Sequence, residues 1–248
     1  MTRRSHSSVR AGKTATHVDV EVALSWLKER ASKRTRDGMA RFGLPSGNAL
    51  GVPVGTIKQI GKRIGVNHDL ALGLFKTGVY EAQLLAAFVG DPARLTAAQM
   101  DRWCRAFDNW GVVDTVCFSL FDRTPLAWSR IEPWSQRSDE FEKRAAFALL
   151  ACLALHDKGA PDDALRKCLP IVEAGASDER NFVKKGVLWA LRLIGRRSAD
   201  LHAESIALAR RLAASKSPSA KWIGRSTLRD LTSPALAKKF SGKKRTAK

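Results

Sequence analysis

Apolar residues recur at helical spacing along the chain from about residue 20 to residue 240. The stretch Val20–Ala31 follows Asp19, a residue type that commonly caps a helix N-terminus. Further along, "GVPVGTIKQIGKRIG" places Ile57 and Ile60 on one side, and "NWGVVDTVCFSLF" and "DEFEKRAAFALLACLALH" behave in the same way. Little of the chain shows the strict alternation of a β-strand. The pattern therefore predicts an all-α protein with helix following helix.

Short joints rich in glycine and proline separate these segments, as in "GDPARLT", "DRTPLAW", "DKGAPDD" and "SKSPSA". Helices joined so tightly must pack antiparallel with their neighbours. The helix pairs recur at roughly the period of HEAT-like or armadillo-like arrays, although no residue-level repeat is visible. We expect a right-handed α-solenoid with a concave basic face, formed by one domain over residues 18–238. Residues 1–17 and 239–248 are polar and basic without periodicity, and we expect two mobile tails there.

The charge balance narrows the class of partner. Of 248 residues, 43 are Lys or Arg and 24 are Asp or Glu, giving a formal net charge of +19. An excess of this size favours a polyanionic partner, with nucleic acid ahead of an anionic membrane surface. No run of 18 apolar residues and no secretory signal pattern occurs in the sequence, so we expect a cytoplasmic, nucleoid-associated monomer that does not enter membranes. The four irregularly spaced cysteines predict buried free thiols.

Common catalytic signatures are missing from the sequence. "GTIKQIGKR" has the wrong spacing for a phosphate loop, and GxGxxG, HExxH and GxSxG do not occur. The five histidines do not pair with each other or with cysteine at metal-ligand spacing. We therefore expect neither a metal nor a cofactor.

Three segments instead place polar and aromatic residues on predicted helix faces. "WGVVD" sets Trp110 and Asp114 one turn apart, "RAAF" contains Arg144, and "KGVLW" contains Lys185 and Trp189, preceded by Lys184. Taken singly, each tryptophan is more often a packing residue and an Asp–Arg pair more often part of the scaffold. The other tryptophans, with no acid partner in such a motif, are assigned to packing: Trp26, Trp103, Trp128, Trp134 and Trp222.

In this order and at these separations, the three segments resemble the motifs of the AlkD-type DNA alkylation repair glycosylases, and "GVPVGTIKQI" resembles a segment near that family's N-terminus. The resemblance spans roughly residues 20 to 240 and implies HEAT-like repeats that wrap duplex DNA while the damaged base stays in the stack. It implies Asp114 as the catalytic carboxylate. The chain departs from the family pattern at Gly111, where an acid commonly follows the tryptophan, and in "RFGLPSGNALG".

The residue types suit this chemistry independently. Breaking an N-glycosidic bond passes through an oxocarbenium-like sugar, which a carboxylate can stabilise while it positions water. A base alkylated at a ring nitrogen is already cationic and leaves as a neutral molecule, so no second acid is required. Trp110 and Trp189 offer surfaces for a cationic nucleotide, and Arg144 can bind a phosphate and keep Asp114 ionised.

Lys184 and Lys185 are predicted phosphate contacts. With no lysine placed beside the sugar, we expect a monofunctional enzyme that leaves an intact abasic site. Two other classes stay open: a solenoid that binds duplex nucleic acid without catalysis, and a protein-interaction scaffold. Retention of an acid in a basic wall disfavours the first, and the charge of +19 disfavours the second.

Overall fold

The computed structural model of the protein describes residues 18–44 and 47–241, and its regular structure within those residues is helical throughout. Two short 3-10 helices, Ala40–Phe42 and Phe121–Arg123, accompany the α-helices. The α-helices are, in chain order, α1 (Val20–Lys28), α2 (Lys33–Asp37), α3 (Val54–Ile64), α4 (His68–Lys76), α5 (Tyr80–Val89), α6 (Ala97–Arg105), α7 (Trp110–Ser119), α8 (Trp128–Ser135), α9 (Glu140–His156), α10 (Asp162–Arg166), α11 (Leu169–Gly175), α12 (Asn181–Ile194), α13 (Ala199–Ala213), α14 (Pro218–Leu231) and α15 (Pro234–Ser241).

Helix starts are encoded by side chains that accept hydrogen bonds from otherwise unpaired backbone N–H groups. Asp19 Oδ1 accepts from the Val22 N–H at 2.9 Å, which confirms the predicted cap of the first helix. That helix is shorter than the pattern suggested. It ends at Lys28, and Ser32 caps a separate short helix, with its hydroxyl accepting from the Thr35 N–H.

The helices form two layers. In the front layer, α3 packs on α5, α5 on α7, α7 on α9, α9 on α12 and α12 on α14. In the back layer, α4 packs against α5, α8 against α9 and α13 against α14. Each pair contacts its neighbours in the chain, which is the arrangement of a helical-repeat solenoid. The predicted all-α solenoid is confirmed.

An apolar core fills the space between the layers and fixes the middle of the front layer. Helix α9 is buried without a break from Arg144 to Ala154, and Phe147 within it is fully enclosed. Gly175 lies so close to the Phe147 ring that an added Cβ would stand 2.3 Å from it, so α11 can approach α9 only with a glycine there. The four cysteines are free and buried, as predicted, and burial raises the pKa of the Cys117 thiol.

The domain boundary predicted at residue 238 lies inside a helix. Helix α15 continues to Ser241, because Phe240 packs its ring 4.4 Å from the His202 imidazole and Lys239 Nζ donates to the Arg196 carbonyl at 3.2 Å. The rest of both predicted tails, 1–17 and 242–248, lies outside the described residues. Within the described residues, no helix is both long and apolar enough to cross a bilayer.

Candidate functional site

Helix α7 carries the candidate carboxylate. Asn109 caps the helix by accepting from the Val112 N–H at 2.9 Å, so the first helical residue is Trp110. Trp110, Asp114 and Phe118 then follow at intervals of four residues along one side of the helix. Phe118 is 38% exposed, which is unusual for a phenylalanine on a packed helix. The sequence therefore presents an acid between two aromatic rings.

Asp114 and Arg144 form a bidentate ion pair between α7 and α9. Arg144 Nε donates to Asp114 Oδ1 at 3.0 Å and Nη2 donates to Oδ2 at 2.7 Å. The remaining terminal nitrogen, Nη1, donates to the Phe182 carbonyl at 2.6 Å. The Arg144 side chain is only 7% exposed, whereas Asp114 keeps 23% of its side chain accessible. Arg144 thus holds one edge of the carboxylate while another part of it stays open.

Two opposing influences act on the Asp114 carboxyl. Burial raises its pKa above the ordinary aspartate value, and this is the larger effect. The charge and hydrogen bonds of Arg144 act in the other direction and favour the carboxylate. The guanidinium was expected to keep Asp114 ionised. Arg144 acts in that direction, against the larger effect of burial, and its direct contact with a phosphate stays a prediction because so little of the guanidinium is exposed.

A shallow hollow of about 190 Å³ opens at the exposed side of Asp114. Trp189 of α12 lines it together with Asp114, so the structure brings these two predicted site residues together. Its other walls come from α3, α5 and α7: Val54, Lys58, Phe88, Thr115, Phe118 and Ser119. Lys58 Nζ lies 5.6 Å from the centre of the Phe88 ring and brings a cation to the hollow. A carboxylate, aromatic rings and a positively charged lysine therefore line the same hollow.

Trp110 does not line this hollow. Its indole Nε1–H donates to the carbonyl of Phe42 at 2.9 Å, so it tethers residues 39–44 to the start of α7. The same segment reaches α12, where the Phe182 ring would stand 3.0 Å from a Cβ at Gly43. Gly43 has φ +68°, a backbone conformation that glycine adopts without strain. Trp110 has a clear structural role, and its contact with a nucleotide stays a prediction.

Gly111, where the chain departs from the family pattern, has a packing explanation. A Cβ at this position would lie 2.7 Å from the Tyr80 hydroxyl and 2.8 Å from Leu44 Cδ2. The space beside Trp110 is therefore occupied by Tyr80 and the segment of residues 39–44. Burial, with the charges of Glu81 and Asp114, raises the pKa of Tyr80 to about 12, so this phenol keeps its proton.

The two lysines predicted to contact phosphates, Lys184 and Lys185, lie against different aromatic rings. Lys184 lies over the ring of Trp222 on α14, with Nζ 5.6 Å from the ring centre. Lys185 is exposed and lies 5.9 Å from the Phe182 ring centre, on the same side of α12 as Trp189. Trp222 is 40% exposed and so is not a core residue, whereas Trp103 and Trp134 are buried as expected.

Sequence reasoning missed Phe118, Lys58 and Tyr80. Phe118 continues the four-residue spacing of Trp110 and Asp114, and that signal was present in the sequence. Tyr80 is the only tyrosine of the chain, but nothing in the sequence connects it to Gly111. Lys58 reaches the hollow only because α3 packs on α5, a tertiary arrangement that no local pattern encodes.

Fold and site together define a helical-repeat protein with an acid set among aromatic and basic side chains. A family model described as DNA alkylation repair enzyme matches residues 23–221. The chain belongs to this family, and the resemblance inferred from its motifs is confirmed.

Comparison with solved structures supports the same fold. One similar structure is described as "a new family of proteins related to the HEAT-like repeat DNA glycosylases with affinity for branched DNA structures"; it has a TM-score of 0.72 and 20% identity, covering 86% of this chain and 95% of that chain. At this identity the likeness concerns the fold. A second, an engineered protein, reaches a TM-score of only 0.34 at 16% identity, covering 93% of this chain and 83% of that chain, and carries no argument. The comparison with curated proteins gives no match.

Proposed function

We propose that this protein is a DNA glycosylase that hydrolyses the N-glycosidic bond of cationic alkylated purines, of the N3-methyladenine and N7-methylguanine type, in duplex DNA. The observation that carries the proposal is Asp114, a partly exposed carboxylate in a hollow that Trp189 also lines, within a chain of net charge +19. A basic surface binds phosphates without needing an acid. A partly exposed carboxylate in such a protein has a function when positive charge develops on the substrate.

Asp114 would act on the sugar of the damaged nucleotide. As the bond to the cationic base breaks, the electron pair leaves with the base, which departs neutral, and positive charge develops on the deoxyribose. The carboxylate stabilises that charge and orients or deprotonates a water that adds to the anomeric carbon. Arg144, fixed by three hydrogen bonds, keeps the carboxylate in one orientation.

The dimensions of the hollow fit a site for a sugar and an exposed base face. At about 190 Å³ it is smaller than the roughly 300–1,000 Å³ of sites that enclose a ligand, so it would not hold an extruded purine. The faces of Trp189 and Phe118 can contact a cationic nucleotide, an interaction of about 0.5–2 kcal/mol depending on desolvation.

Hydrolysis by water would leave an intact abasic site. Strand cleavage needs a neutral amine to attack the sugar and form a Schiff base. Contrary to the expectation from sequence, one lysine does line the hollow, but Lys58 Nζ lies over the Phe88 ring in a contact that suits an ammonium ion. Borohydride added during the reaction is therefore expected to trap no protein–DNA adduct.

The test is release of free base from methylated duplex DNA by the wild-type protein and Asp114→Asn. The substitution keeps the side-chain volume and removes the charge, so base release should fall at least about 100-fold while duplex binding is retained. Asp69→Asn is the matched control, because Asp69 also forms a bidentate pair with an arginine, Arg94, but is exposed on α4 of the back layer. Full activity of Asp114→Asn would refute the carboxylate mechanism.

A second candidate function is DNA binding without base release. It is favoured by the similar structure described as having affinity for branched DNA and by the pairing of Asp114 with Arg144, which a structural role alone would explain. Absence of base release by the wild-type protein, together with tighter binding to a four-way junction than to a duplex, would support this candidate over the first.

A further inference from the structure

A second and larger cavity lies beside the candidate site, between the first 3-10 helix and the start of α3. We name it the N-terminal pocket; its volume is about 440 Å³. Its walls include Thr35, Met39 and Phe42 on one side and Val54 on the other, and Tyr80 contributes from α5. Unlike the hollow at Asp114, this cavity falls within the usual size range of sites that bind a small organic group.

Exposed apolar side chains concentrate at these two cavities. Within the described residues, five large hydrophobic side chains are exposed, and three of them line the N-terminal pocket or the hollow at Asp114: Phe42 (65%), Val54 (43%) and Phe118 (38%). Exposed apolar surface gathered at one place commonly marks a binding site. The Phe42 ring offers a flat face of the kind on which nucleobases stack.

The two cavities adjoin. Val54 lines both of them, so one side chain forms their common wall. Trp110, one turn before Asp114, donates its indole N–H to the carbonyl of Phe42 and so fixes the backbone that carries the Phe42 ring. A strand with its sugar at Asp114 would therefore pass the mouth of the N-terminal pocket.

The charges at the pocket suit an anionic chain. Arg34 and Arg41 contribute to its lining, and among the described residues neither forms an ion pair with a carboxylate. The acid of the lining, Glu81, is fully buried, and its carboxylate oxygens accept from the backbone N–H groups of Leu50, Gly51 and Val52 at 2.7–3.2 Å. Its negative charge is thus directed to the loop before α3.

We propose that the N-terminal pocket binds an unpaired nucleobase of DNA, with the base against Phe42 and the adjoining phosphates on Arg34 and Arg41. The proposal rests on the DNA-binding part of the proposed function and is independent of base release. It names a substrate class: DNA in which a nucleotide has left the stack beside the position held at Asp114.

The experiment compares the affinity of the full-length protein for two unmethylated duplexes of the same sequence, one fully paired and one with a single bulged adenine. The wild-type protein should bind the bulged duplex about tenfold more tightly, since only that duplex offers an unpaired base to stack on Phe42. Phe42→Ala should abolish that preference, so that this variant binds the two duplexes with equal affinity. Thr35→Trp, which fills the pocket from an exposed position, should act in the same way.

Val66→Ala is the matched control, because Val66 is 71% exposed and lies outside both cavities. Val66→Ala should prefer the bulged duplex over the paired duplex to the same extent as the wild-type protein. Equal affinity of the wild-type protein for the two duplexes would overturn the proposal, and so would an undiminished preference in both Phe42→Ala and Thr35→Trp. Base release from methylated duplex by the wild-type protein is measured separately. Its absence would refute the glycosylase hypothesis, whereas equal binding of the two unmethylated duplexes would refute the pocket proposal.

Discussion

Two requirements on the Asp114 carboxylate conflict with each other: it must be partly buried, and it must be ionised. It must be near apolar rings to act in a water-poor site, and this burial raises its pKa; it must also be ionised to stabilise a cationic sugar. Arg144 favours the ionised form by donating two parallel hydrogen bonds to the carboxylate, a geometry that a guanidinium can supply and an ammonium cannot. The pH dependence of base release should show how far the effect of burial on the Asp114 pKa exceeds the opposite effect of Arg144.

For the wild-type protein, we expect base release to fall as the pH falls through the Asp114 pKa, because the protonated acid cannot stabilise positive charge. Since that pKa is raised, the acid limb should lie at higher pH than for an ordinary aspartate. Arg144→Lys should move the limb to still higher pH, because weaker pairing with the carboxylate favours the neutral acid. The measurement is the pH–rate profile of single-turnover base release. An unmoved limb in Arg144→Lys would mean that Arg144 serves the fold alone.

At the residue scale, part of this site was predictable from the sequence. The spacing of four residues places Trp110 and Asp114 on one side of α7 by geometry alone. The attraction between a guanidinium and a carboxylate predicted that Arg144 would favour the ionised form of Asp114. The contact of Trp110 with Phe42 was not predictable, since it joins residues 68 positions apart. A pattern within one helix cannot encode such a contact.

At the scale of elements, a glycine at the start of α7 allows the segment of residues 39–44 to pack against that helix. Gly111 leaves room for the Tyr80 hydroxyl and for Leu44, which lie where its Cβ would be. The cost is local, because glycine within a helix is about 1 kcal/mol less favourable than alanine. In return, residues 39–44 pack against α7 and place Phe42 beside the candidate site.

We therefore expect Gly111→Ala to destabilise the protein by about 1–3 kcal/mol, although alanine is the better helix former, because the new methyl group overlaps its neighbours. Gly55→Ala in α3 is the matched control. No atom lies within 4 Å of the Cβ it would add, so it should stabilise the protein by about 0.5–1 kcal/mol. Denaturant unfolding of both variants gives the two free energies. A stabilising effect at Gly111 would show that the segment of residues 39–44 does not pack tightly there.

The elements themselves followed closely from the hydrophobic pattern, whereas their ends did not. The caps at Asp19 and Asn109 depend on local residues, and the first of them was predicted from its type. The continuation of α15 through residues 239–241 depends on the ring of Phe240 meeting His202, a contact between helices. Tertiary contacts of this kind extend a helix beyond its apparent polar end.

At the scale of the whole molecule, and within the part of the chain that the structure describes, the basic residues of some helices form ion pairs with acids, whereas those along one side of α14 do not. Many arginines form ion pairs with acids of neighbouring helices, for example Arg166 with Glu204 and Arg211 with Glu173. On α14, by contrast, Lys221, Arg225 and Arg229 follow one another by one helical turn and form no ion pair with an acid among the described residues. With Lys216 and the exposed Trp222, these three residues line an open hollow of about 410 Å³.

This basic strip of α14 lies in the same layer as Asp114 and Trp189, so we expect it to contact phosphates of a duplex bound at the candidate site. Replacing Lys221, Arg225 and Arg229 together by alanine should weaken duplex binding and lower the slope of log affinity against log salt by up to about three, since each phosphate contact contributes about 0.9. The matched control replaces exposed Lys76, Arg102 and Arg210, on α4, α6 and α13, and makes the same change in net charge. If affinity depended on net charge alone, both triple variants would lose the same slope. A loss confined to the α14 variant would place the duplex along the front layer, whereas a loss confined to the control would place it on the surfaces of α4, α6 and α13 instead.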